Sequence, residues 1–114
     1  MADTQKDSID FTVDRKNLYR EESFTDLRGR SIRRLIPVKP DGTVDKTRTT
    51  IFVGHTSLWS PDGLLPIQNV IQAKGLQQAL KKFPEAMQSA MDHLTEELKK
   101  QKEKEDSRIV VPGR

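Results

Sequence analysis

Apolar residues change their spacing part way along this chain, and that change limits what it can fold into more than any single motif does. Up to His55 they alternate with polar residues or gather in short β-branched runs, whereas from Ile67 they recur three and four residues apart. The first spacing lines one face of a strand and the second one face of a helix. The expectation is an α+β chain, with an N-terminal antiparallel sheet of about four strands followed by two or three helices packing on one of its faces.

The strand signals are local. Ile9, Phe11 and Val13 alternate with Asp10 and Thr12, which predicts a short strand. Ser23–Leu27 and Ser31–Val38 flank Arg28-Gly29-Arg30, and this short glycine-bearing connection predicts a hairpin. Pro37 donates no ladder bond, so the second arm either lies at an edge there or stops pairing near it. Lys39-Pro40-Asp41-Gly42 is a turn tetrad. Thr47–His55, with its Ile51-Phe52-Val53 triplet, predicts the central strand. Ser57–Pro66 holds two prolines and a glycine around Trp59, and reads as the loop from sheet to helices.

Beyond that loop, Ile67, Val70, Ile71, Leu76, Ala79, Leu80 and Phe83 predict amphipathic helix interrupted at Gly75. Pro84 suits the first turn of a last helix, whose apolar stripe is Met87, Ala90, Met91, Leu94 and Leu98. After Leu98 the Lys/Glu run 99–106 is charged all round. Ile109-Val110-Val111 reads as a loose tail or an added strand.

A chain of 114 residues has material for one core. The organisation expected is a flexible N-terminus over 1–8, one α+β domain over 9–98, and a charged helix extension and tail over 99–114. No cysteine is present, which excludes disulfides and thiolate metal sites and suits a reducing, cytoplasmic setting. No stretch approaches the length of a membrane span, and the first residues carry no leader-like apolar run. Twenty basic residues against 17 acidic give a net charge of +3, spread evenly along the chain, so only a local patch can serve a polyanion.

Catalytic and cofactor motifs are missing. His55, Ser57 and Asp62 are the parts of a nucleophilic triad, but no strained turn presents the serine, and strand-end and turn roles explain all three better. His55 and His93 are too isolated to build a metal site. The six glycines never cluster into a phosphate cradle. The reading leans away from an enzyme and calls for no cofactor.

Two surfaces carry functional expectations. Arg28, Arg30, Arg33 and Arg34 fall within seven acid-free residues that a hairpin concentrates, and their forked guanidiniums suit phosphates. Glu21, Glu22 and Asp26 lie near enough to pair across the same strands, which favours an ion-paired sheet face. The stripe Met87, Met91, Leu94 and Leu98 suits self-association, a dimer first of all, or packing on the chain's own sheet. The function expected is therefore that of a small, non-enzymatic cytoplasmic interaction protein working as a homo-oligomer and open to a protein partner. Nucleic-acid binding through the Arg-rich hairpin is the alternative.

Overall fold

The computed structural model describes residues 8–110, with side chains up to Lys102. Four strands, β1 (Tyr19–Thr25), β2 (Ser31–Pro37), β3 (Ile51–Ser60) and β4 (Gly63–Ile71), precede a single helix, α1 (Leu76–Val110). The strands form one antiparallel meander in the order β1-β2-β3-β4. The α+β class holds, and the sheet has the expected number of strands. It is built from different segments, however, and one helix replaces the two or three expected.

Register fixes which residues share a face. Phe24, Ile32, Gly54 and Asn69 stand side by side across the four strands, as do Glu22, Arg34, Phe52 and Ile71. These rows face α1. The buried cluster Ile32, Phe52, Ile71 and Ala79 forms there, with Ala73, Leu76, Phe83 and Ala86 packed against it. Gly54 is a requirement of that packing, because a Cβ there would meet Ile71 Cδ1 at 2.9 Å and both Phe83 Cδ2 and Met87 Cε at 3.0 Å. Asn69 Nδ2 donates to the Ala86 carbonyl at 3.1 Å and ties β4 to the helix.

Several local expectations are corrected. Ile9, Phe11 and Val13 belong to no strand and are 72%, 83% and 64% exposed; alternation without a neighbour to pair with makes no ladder. Residues 57–66 are not a loop but the end of β3, a two-residue turn at Pro61-Asp62, and the start of β4. Ser60 Oγ accepts from the Asp62 amide at 3.2 Å and donates to the Gly63 carbonyl at 2.7 Å, closing that turn around Gly63 at φ +114°. Pro66 is admissible because β4 is an edge strand. Ile67–Ile71 accordingly extends as strand rather than coiling.

Gly75 precedes the helix rather than splitting it, and its carbonyl accepts from Ala79 N at 3.0 Å. Pro84 lies inside α1. Its missing N–H leaves the Leu80 carbonyl without its usual donor, and packing of Ala79 and Met87 on either side holds the helix through that defect. Ile109 and Val110 are helical, while Val111 lies outside the described residues. Pro37 ends β2, and pairing with β3 stops two residues earlier, at Leu35 opposite Ile51.

Candidate functional site

The Arg-rich hairpin is built as expected. Residues 26–30 connect β1 and β2, and Asp26 Oδ1 accepts from the amides of Arg28 at 2.7 Å and Arg30 at 3.3 Å. Those amide bonds, the Arg28 one foremost, and the nearby Arg30 charge hold the Asp26 carboxyl below the ordinary carboxylate range. Leu27 takes φ +61° in this connection, the left-handed region that side chains with a Cβ rarely adopt.

The hairpin does not present four free cations. Arg30 Nε pairs with Asp26 Oδ2 at 2.7 Å, Arg33 Nη1 with Glu21 Oε1 at 3.3 Å, and Arg34 with Glu22. The alternation of β2 also sends Arg33 and Arg34 to opposite faces of the sheet. Arg34, on the helix side, lies 5.1 Å from the centre of the Phe24 ring. Of the four, Arg28 alone has a guanidinium that forms no ion pair within 4 Å among the described residues.

The helix stripe divides along its length. Met87 is buried at 7% exposure, Met91 and Leu94 are half-buried, and Leu98 is 52% exposed. Its first turn belongs to the chain's own core, because Met87 reaches Gly54 on β3. Only its far end is free.

His55 and Ser57 share the sheet face opposite α1, where His55 stands between Ser31 and Gln68. Asp62 lies in the turn beyond Ser60, about 17 Å of strand from His55. The three do not meet as a triad.

That opposite face is the feature sequence reasoning missed. Ile51, Val53 and Trp59 of β3, Leu64, Pro66 and Val70 of β4, and Leu35 of β2 all lie on it by register. Val53 is buried at 9% exposure, but among the described residues no helix packs on this face at its β3–β4 end. Leu64 and Val70 are exposed, and Trp59, opposite Leu64, is 85% exposed. Trp59, Leu64 and Pro66 make a small apolar patch at the β3–β4 turn, and the polar His55–Gln68 pair separates it from Val53 and Val70 farther along the same strands. The signal was present in the alternation of residues 57–66, but two prolines and a glycine outweighed it.

Among the described residues no group of three or more His, Asp or Glu side chains could hold a metal ion, and no helix is long and apolar enough to cross a membrane. The surfaces available are thus a neutralised Arg hairpin, a partly buried helix stripe and an apolar sheet face. Comparison with protein-family models, with curated proteins and with solved structures finds no match to this chain.

Proposed function

We propose that this chain is a non-enzymatic interaction protein that works as a homo-oligomer, a dimer in the simplest case, joined through the sheet face opposite α1. One observation carries the reading: Trp59 and Leu64 stand exposed side by side on that face, with Val70 also exposed beyond the His55–Gln68 pair and next to Val53. Exposed patches of this kind mark contact surfaces, and tryptophan is the residue most enriched among interface anchors.

A second copy suits this surface for two reasons. Among the described residues the buried apolar side chains are Ile32, Pro37, Val38, Phe52, Val53, Ile67, Ile71, Ala79 and Met87, a thin core for a chain that lays one helix on one side of one sheet. Stacking two bare faces back to back supplies the missing layer. The face also carries little net charge, since Arg33 is paired with Glu21, so like surfaces meet without repulsion in a twofold interface. A cytoplasmic setting belongs to the same reading and rests on the absence of cysteine. The nucleic-acid alternative has less support, because carboxylates already pair with three of the four hairpin arginines.

Light scattering at micromolar concentration tests the proposal. The intact chain is expected at twice 13.0 kDa, and Trp59→Glu with Val70→Glu at 13.0 kDa with unchanged helical circular dichroism. Leu98→Glu should leave the dimer intact. A monomeric intact chain overturns the reading, and a dimer broken by Leu98→Glu but not by the Trp59 variant moves the interface to the helix.

A further inference from the structure

We propose a binding site for a small phosphate-bearing ligand in a hollow between the loop after β2 and the 3-10 turn Arg15–Asn17 that precedes β1. The hollow has a volume of about 440 Å³. Arg15 and Lys16 reach it from the 3-10 turn, and Lys39 and Arg48 from the loop, with Val38 and Pro40 between them and Asp45 the single acid of the lining. Four cations against one carboxylate converge there from two segments that are distant in sequence.

Arg48 is the fixed point of this arrangement. Its Nε pairs with Asp45 Oδ2 at 3.1 Å, and its Nη2 donates to the carbonyls of Leu18 at 3.0 Å and Val38 at 2.8 Å. Its guanidinium lies 5.0 Å from the centre of the Tyr19 ring. These contacts account for Arg48 as a strap across the end of the sheet, and they leave one nitrogen over. Nη1 is buried without a hydrogen-bond partner among the described residues, so the part of Arg48 that lines the hollow is a charge already held in place by the strap.

The neighbouring acids are themselves committed to local bonds. Asp45 is committed to the Thr47 amide and hydroxyl, at 3.0 and 2.6 Å, besides Arg48. Asp14 accepts from Lys16 N and Asn17 Nδ2, and Asp41 from the amide and hydroxyl of Thr43. The side-chain cations of Arg15, Lys16 and Lys39 form no ion pair within 4 Å among the described residues, although the Lys39 charge acts on Asp41. Several cations lining one hollow favour a compact anion with tetrahedral oxygens, which accepts bonds from several directions; a single carboxylate is met by one arginine fork. Convergence on a hollow, rather than a file of charges along a groove, favours a small molecule over a nucleic-acid strand.

Pyrophosphate is the probe. Titrated into the nitrogen-15-labelled full chain at constant ionic strength, it is expected to give saturable amide shifts confined to residues 15–16, 38–40 and 45–48. Because Arg48 variants risk unfolding the strap, the exposed Lys39→Glu and Arg15→Glu are the deciding variants; each should weaken binding about tenfold. Shifts spread equally over Arg28 and residues 99–102, or indifferent to both reversals, overturn the site. So does a thymidine oligomer that binds there more tightly than pyrophosphate, which assigns the cations to a nucleic acid.

Discussion

The Cε atom of Met87 lies 3.0 Å from where a Cβ on Gly54 would stand, so α1 rests on a bare stretch of β3 backbone. Phe83 and Ile71 crowd the same point at 3.0 and 2.9 Å. A side chain at position 54 must therefore displace the ends of Ile71, Phe83 and Met87 or lift the helix. Gly54→Val is expected to destabilise the fold by about 1–3 kcal/mol, the usual cost of overpacking. Urea unfolding measures it, and a neutral substitution would mean that helix and sheet are not in close contact there.

Met87 and Leu98 lie eleven residues apart on the same apolar stripe, yet one is buried and the other half in water. Met87→Ala should cost about 2–4 kcal/mol through a cavity beside Gly54. Leu98→Ala should stay within about 0.5 kcal/mol. Equal effects would show that the stripe works as a unit, as an intermolecular contact would require. The contrast also bears on self-association tests, since variants at Met87 report on folding first.

Arg34 and Arg28 separate the two uses of the hairpin. Arg34→Glu sets a carboxylate beside Glu22, its cross-strand partner, and removes both an ion pair and the contact with Phe24. The expected loss is about 1 kcal/mol, modest because both partners are about one-third exposed. Arg28→Glu breaks no ion pair among the described residues and should shift stability by less than about 0.5 kcal/mol. Any loss of polyanion binding in Arg28→Glu is then loss of a contact, whereas the same loss in Arg34→Glu includes damage to the sheet. Thermal melts of both variants decide the point.

The parts of this fold legible in the sequence are those marked by turn chemistry or by a run of β-branched residues. The hairpin around Gly29 and the strand Ile51–His55 could be read from turn chemistry and β-branched residues. β4 could not. Leu65, Ile67 and Ile71 alternate toward the helix, but Leu64, Pro66 and Val70 fill the opposite face with apolar residues too. A strand apolar on both faces loses its period of two, and Ile67, Val70 and Ile71 then imitate a helix. The feature that hid β4 is thus the apolar face proposed as an interface. Pro84 misled in the other direction, because a core-facing helix tolerates the loss of one hydrogen bond when packing on both sides of it is retained.

Asp45 links the strap to pH. Bonds from the Thr47 hydroxyl and amide, then the Arg48 guanidinium, lower its carboxyl from 3.8 to about 2. A carboxyl whose pKa is depressed in the folded chain stabilises it when ionised, so the contribution is complete above the unfolded value and is lost as pH falls through the folded one. Wild type should exceed Asp45→Asn in stability by a constant margin above about pH 5, and the margin should shrink from about pH 4 and vanish below about pH 2. Urea unfolding at stepped pH measures that margin. If it persisted unchanged at pH 2, the Thr47 and Arg48 bonds would not be what holds the Asp45 charge. If it were absent at pH 7, Arg48 would be held to Leu18 and Val38 without its carboxylate, and the strap would rest on the two carbonyls and the Tyr19 ring alone.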